Sequence, residues 1–448
     1  MKSKFVGWLF IGATAIGTAG IVSGSGQKGL VVHEWGTFTS LQGSDGVPVQ
    51  WNPLQSSHLP RFVYNWNNAG LGRYAAGLLS LGQKNVLVTL QRMETPVIYF
   101  YADQDQTADL TVRFPQGGIT EWYPQAPRIG PCVTRPSPIV TTLDSGLHRA
   151  GVSPKFSLDS IFDGGTVKES LIHWHGLKIL PAPKHADLRK RLLNDASGSH
   201  YFAARDTDSA FVQADSLSSS NSQPELEKFL FYRGVGNFTT PLSVQMDAGG
   251  TITVGNNGKE ALTHLLILSV HGSSGNCSSM EQLKSGQQEA FNLEAEHPAL
   301  PIEKLKSQVR AAMITGLRAE GLYAREALAM VNTWDDSWFQ EEGVRVLYIL
   351  PRAWTDQILP MQIDPTPKEL VRVMVGRAEL ITPDTERRLT LDLTRAQKGE
   401  VEADQEIRAI IKSLGRFAQP VFQQALARAD ASPAQRDKLL ALLYEGRQ

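Results

Sequence analysis

Histidine is the commonest metal ligand, and two of the ten histidines stand close together in Leu171-Ile172-His173-Trp174-His175-Gly176-Leu177. In a strand, side chains alternate, so His173 and His175 share one face about two strand rises apart. Two imidazoles so placed can bind one ion or two neighbouring ions, and imidazole suits copper, zinc, iron and nickel. Gly176 lets backbone or ligand approach closely. The best third ligand is His33, in His33-Glu34-Trp35-Gly36. On a strand, His33, Trp35 and Thr37 face one way, and Glu34 and Phe38 the other. The competing role for His33 is structural, bonded to a backbone carbonyl beside core Trp35 and Phe38. Thr37 excludes the helical His-Glu-x-x-His zinc motif. His58, His148, His185, His200, His264, His271 and His297 have no ligand spacing and read as structural or solvated.

Two further clusters carry polar chemistry. Trp334-Asp335-Asp336-Ser337-Trp338 with Glu341-Glu342 sets aromatic faces beside carboxylates, as glycan hydrolysis requires, with Glu326 as a further acid. The plainer expectation is a helix end with both tryptophans inward and the acids solvated. Arg352 can clamp an anion or pair with Asp356, and the internal pair is the commoner outcome. No Gly-x-Ser-x-Gly elbow, Walker loop or dinucleotide fingerprint occurs, so no nucleotide cofactor is expected.

The elements that must hold these groups change texture along the chain. Leu30–Ser40, Val86–Leu90, Thr95–Tyr101, Leu110–Phe114, Glu169–Leu180, Glu227–Arg233, Thr251–Val254 and Leu262–His271 read as strands with Gly/Pro turns. Leu110, Val112 and Phe114 alternate with Thr111 and Arg113, a half-buried pattern. Prolines across 115–138 predict a loop-rich excursion, and Ser216–Pro224 a mobile loop. Helical spacing follows in Pro301–Trp334, is interrupted by strands at Val344–Leu350 and Glu369–Glu379, and returns from Asp404. Ser432-Pro433 with Gln435 is a helix start. The expected class is α+β: an N-terminal antiparallel, Ig-like β-sandwich over 27–275, then a mostly helical region over 276–448.

Residues 1–26 read as a signal peptide, with Lys2 and Lys4 before the apolar stretch Phe5–Val22. The expected location is periplasmic or extracellular, with an uncleaved N-terminal anchor as the alternative. No later run is apolar enough to span a bilayer, so no transmembrane domain remains after signal removal. Cys132 and Cys277 could form one disulfide in an oxidising compartment. With 44 Lys+Arg against 45 Asp+Glu, no bulk charge points to nucleic acid.

The string Ile172-His173-Trp174-His175-Gly176-Leu177 resembles the first copper motif of multicopper oxidases, which implies copper ligation by His173 and His175. The sequence lacks a second His-x-His and any His-Cys-His, so a four-copper centre is not implied. Over most of the mature chain, LVVHEWGTFTS, METPVIYFY, GITEWYP, FLFYRGVGNF and AMVNTWDDSWFQEEGVRVLYILPR resemble a group of secreted bacterial proteins of unassigned activity. That resemblance implies export only. Thr95–Pro124 is also similar to Ig-like strand pairs of secreted bacterial proteins.

The leading expectation is therefore an exported copper- or zinc-dependent enzyme, redox ahead of hydrolysis, with His173, His175 and His33 as ligands. The alternative is a non-catalytic envelope protein that binds a glycan or protein partner through aromatic loops such as Trp51–Trp66 and Glu121–Tyr123. A glycan hydrolase is the weaker third. The ligand would be a small molecule or a glycan.

Overall fold

The computed structural model describes residues 29–51, 59–65, 89–130, 168–195, 198–215, 223–296, 298–429 and 431–445. The expected leader, the strand start at 86–88, most of the Ser216–Pro224 loop, Trp66, Cys132, His58, His148 and His297 lie outside the described residues.

The chain is mixed α and β, with more strand than helix, sheets in a sandwich-like arrangement and the helices in the C-terminal region. The central layer is an eleven-stranded sheet. Its middle strands run Leu262–His271, Gly343–Leu350, Glu369–Leu380, Val31–Gln42, Gln91–Tyr101, Leu230–Gly236 and Gly117–Tyr123 in spatial order. Val31–Gln42 pairs antiparallel with Gln91–Tyr101 and parallel with Glu369–Leu380. The sheet thus takes strands from both sides of residue 275. Val31–Gln42 is buried on both faces, as a strand central to such a sheet must be.

One face of this sheet supplies Phe38, Ile98, Phe100 and Tyr232 to a core shared with two smaller sheets. A six-stranded sheet gives Leu110, Val112, Ile172 and Trp174, and a three-stranded one gives Val244 and Val254. The opposite face carries Trp35, Val97, Tyr99 and Val373. It is covered by helices Ile302–Ala319 and Ala324–Thr333 through Val309, Met313, Leu317 and Met330. Four helices, Pro383–Gln397, Val401–Leu414, Ala418–Arg428 and Pro433–Glu445, form a further core with Leu41, Trp51 and Ile381 at the strand ends.

Local pattern and structure agree where period and punctuation coincide. The strand expected at Leu262–His271 has those bounds, and Ser432 and Gln435 bond reciprocally at the last helix start. The Pro301–Trp334 stretch is two helices, because Gly321 adopts φ +103° between them. The expected loop over 115–138 is corrected in part: Gly117–Tyr123 is a fully buried strand. Glycine and proline bound it, and pairing with Leu230–Gly236 outweighs their local preference for turns.

Candidate metal centre

The Ser170–Leu180 strand lies in the six-stranded sheet, next to Gln106–Phe114. Ile172 and Trp174 point into the sandwich core, so His173 and His175 point out. The partner strand buries Ala108, Leu110, Val112 and Phe114, which turns Asp109 and Thr111 to the same outer face. The register slips here: Ala108 faces Leu177 while Leu110 faces Trp174. Asp109 therefore stands opposite two residues, His175 and Gly176, and the extra residue is a β-bulge. Gly176 has φ +64°, and nothing lies within 4 Å of where its Cβ would be. Backbone conformation, and not crowding, is what favours glycine there.

The bulge places the carboxylate. Gly176 N–H donates to Asp109 Oδ1 at 2.8 Å, and Asp109 Oδ2 lies 2.6 Å from His175 Nδ1. The donated Gly176 N–H, with His175 beside it, holds the Asp109 carboxyl below its ordinary value. The ligating atoms of Asp109, His173 and His175 all lie within 4.8 Å of one another, close enough to share one ion. The His173 and His175 rings stack at 6.1 Å between centroids, and Thr111 Oγ1 lies 2.8 Å from His173 Nδ1. Such an outer hydrogen bond orients a ligating imidazole. The site is wet: the His175 side chain is 72% exposed and that of Asp109 35%.

Of the three expected ligands, the structure brings His173 and His175 together and places His33 in the other sheet. His33 is fully buried, with Nδ1 2.8 Å from Glu326 Oε2, and its ring packs against Tyr101 and Tyr323. Glu326 also accepts Tyr101 O–H and Tyr323 N–H. His33 thus has the structural role, bonded to a carboxylate in place of a backbone carbonyl. Asp109 is the member of this group that sequence reasoning missed. The alternation of Leu110, Val112 and Phe114, extended by one residue, would have put Asp109 beside Thr111 on the outer face. Which strand lies next to His173 has no local signal.

The other candidates are occupied by ion pairs. Asp335 meets Lys306 and Arg310, Asp336 meets His200, Glu341 meets Arg377, and Glu342 meets His271. Trp338 is buried and stacked on half-buried Trp334, so the helix-end reading holds for one tryptophan, while the acids it expected to be solvated are paired. Arg352 pairs with Asp356 at 2.8 Å. His185 pairs with Asp105, and His264 lies near Glu281 and Glu320. Among the described residues of the aromatic stretches expected to meet a partner, Trp51, Trp122 and Tyr123 are buried, because Gly117–Tyr123 is a sheet strand and Trp51 packs under the C-terminal helices. A cleft of about 740 Å³ opens between the strand ends and those helices, bordered by His271, Glu342, Glu379 and Arg388. The Asp109–His173–His175 group does not line it.

No family model matches the chain, and no curated protein matches it. Among solved structures, the yeast delta-COP-I mu-homology domain is similar at a TM-score of 0.26 and 8% identity, covering 79% of this chain and 98% of that one. The same domain complexed with a Dsl1 WxWxV peptide gives 0.26 and 7% over the same shares. At that TM-score neither likeness carries an argument. Among the described residues, no helix is long and apolar enough to cross a membrane.

Proposed function

We propose that this is an exported metal-binding protein whose divalent transition-metal ion is held by Asp109, His173 and His175. The supporting observation is the bulge at His175–Gly176, which sets a carboxylate beside two same-face imidazoles with their ligating atoms within 4.8 Å. Two imidazoles and one carboxylate suit zinc or iron(II). The carboxylate donor moves the reading from copper toward those ions. Three protein ligands leave further positions toward solvent, so the ion is exchangeable and accessible. An open sheet face favours capture and presentation of the ion over redox chemistry, which needs a shielded pocket.

A second reading, metal-assisted hydrolysis, draws on the same open positions: a water held by such an ion has a lowered pKa. Its substrate would have to lie on a flat face, as a glycan or other polymer can.

Metal analysis of the purified protein after equilibration with zinc decides between occupancy and an empty surface cluster. The expected result is one ion per chain in the wild type, and at least tenfold weaker binding in Asp109→Asn and His173→Ala/His175→Ala. Zinc uptake near zero, or equal uptake by the double variant, would sink the proposal. Turnover of a polymeric ester only in the zinc-loaded form would favour the second reading.

A further inference from the structure

The strand Leu262–His271 ends at the cleft between the central sheet and the C-terminal helices, and its alternation decides what faces that cleft. Leu265 and Ile267 point into the core shared with the smaller sheets, while Leu266, Leu268 and Val270 face the two covering helices. Ser269 and His271 continue the Leu265–Ile267 row, so a hydroxyl and an imidazole share one face. The two-residue turn Gly272-Ser273 follows, with Gly272 at φ +58° as such a turn requires. The neighbouring strand Gly343–Leu350 sets Val344 in register with Ser269, and Val344 pairs in turn with Leu380. Since Gly343 stands opposite Val270, Glu342 arrives beside His271.

Ser269 Oγ lies 3.0 Å from His271 Nε2, and His271 Nδ1 lies 3.1 Å from Glu342 Oε1. The other carboxylate oxygen, Glu342 Oε2, accepts Gly272 N–H at 2.8 Å, which fixes how the carboxylate meets the ring. A carboxylate on Nδ1 favours the tautomer with its proton there, which leaves Nε2 to accept the Ser269 hydroxyl proton. Each ring nitrogen thus has the partner that a serine nucleophile, its base and an orienting acid require. All three side chains border the cleft of about 740 Å³. Ser269 is 6% exposed at its wall, whereas the His271 side chain is 56% exposed and that of Glu342 42%. The cleft continues as an apolar surface, with Val344, Leu380 and Ile381 from the sheet and Ile410, Leu414 and Phe417 from the helical side. A volume of that size takes a small organic molecule.

We propose that Ser269, His271 and Glu342 form a nucleophile, base and acid that hydrolyse a carboxylic ester, its apolar acyl chain lying along Val344, Leu380 and Ile410. Ser269 Oγ attacks the ester carbonyl carbon as its proton passes to His271 Nε2. The bond from that carbon to the alcohol oxygen breaks, the alcohol leaves with the proton, and the acyl group stays on Ser269. Water then adds to the acyl carbon and gives a proton to His271. The bond to Ser269 breaks, the carboxylic acid leaves, and the proton returns to Ser269 Oγ. Glu342 touches no reacting atom; it positions the ring and balances the ring's charge while protonated. The serine stands on a plain strand and not on a Gly-x-Ser-x-Gly elbow, but such a triad is defined by geometry and roles, which unrelated folds supply. The steps use no ion, which sets this site apart from the Asp109 centre.

The test uses the full chain, an alkyl fluorophosphonate as covalent label and p-nitrophenyl butyrate as ester. The expected result is labelling of Ser269, located by mass spectrometry, and ester turnover that EDTA leaves unchanged. Ser269→Ala removes both, and His271→Gln lowers both about a hundredfold. Glu342→Gln lowers kcat about tenfold or more with little change in KM and unchanged circular dichroism, a split that a merely structural role does not produce. The proposal is overturned by a folded wild type that takes no label at Ser269, by turnover that survives Ser269→Ala, or by equal labelling in a folded His271→Gln. Turnover lost on chelation also overturns it and assigns the ester to the Asp109 centre instead.

Discussion

Glu34 shows how much one side chain can decide. It lies on the same strand as His33 but on the opposite face, fully buried, where it accepts Tyr232 O–H at 2.5 Å and Arg372 Nε at 2.6 Å. Arg372 passes the charge outward to Asp356, which also pairs with Arg352. Removing one partner of a buried pair leaves the other charge stranded, at a cost of about 3–5 kcal/mol. Glu34→Gln should therefore destabilise by about that much in urea unfolding, while Arg352→Ala, at the exposed end, should cost under about 1 kcal/mol. Equal costs would mean that the chain of pairs is not graded by burial. His33 follows the same logic. Glu326→Ala removes its carboxylate partner and the acceptor for Tyr323 N–H at the start of Ala324–Thr333. It should lower Tm more than Glu320→Ala, whose side chain is 37% exposed, as paired thermal melts would show.

The strand pair that carries the candidate metal centre is built without metal. Ile172, Trp174, Leu110 and Val112 bury its inner side, and the outer imidazoles add little to that packing. Chelation with EDTA should then abolish zinc binding yet leave the far-ultraviolet circular dichroism unchanged. Loss of β signal on chelation would make the ion structural. The charged end of the central sheet should respond to acid instead. Burial would raise the Glu341 carboxyl, but Arg377 and Arg416 beside it hold it at about 2, and the same two arginines with Arg92 lower Glu94. Both groups bind fewer protons folded than unfolded. The Glu341 contribution is complete above the ordinary value of 4.5 and is lost as pH falls from there toward 2, and the Glu94 contribution is likewise lost as pH falls below that ordinary value. Melting temperature against pH should show that decline, and Glu341→Gln should make it shallower. A curve of unchanged slope in the variant would remove Glu341 from the account.

The molecule has three described core regions of any size, and they should not fail alike. The C-terminal helices meet the rest through Leu41, Trp51 and Ile381, around buried Leu389, Leu393 and Ile407. Leu393→Ala should cost about 2–5 kcal/mol. Hydrogen exchange should show the loss in residues 383–445 first, with Val31–Gln42 still protected. Uniform deprotection would instead mean one cooperative unit.

Much of the architecture is legible in the order of residues alone. Alternation in Leu110–Phe114 and in Ile172–His175 marks strands and their outward faces, since a period of two is a local property of the pleat. The Ser432–Gln435 helix start is legible for a similar reason, being closed by residues three apart. Val31–Gln42 can be read as a strand, but not its parallel union with Glu369–Leu380, because hundreds of residues separate the two and no local signal names a partner. Asp109 is hidden for that reason too: its membership with His173 and His175 depends on which strands pair and on a one-residue slip in their register. The amino-acid order determined which side chains point outward and which helices start where. Only the packed chain decided which outward groups meet, because such meetings arise from long-range burial, and burial is settled by the whole core at once.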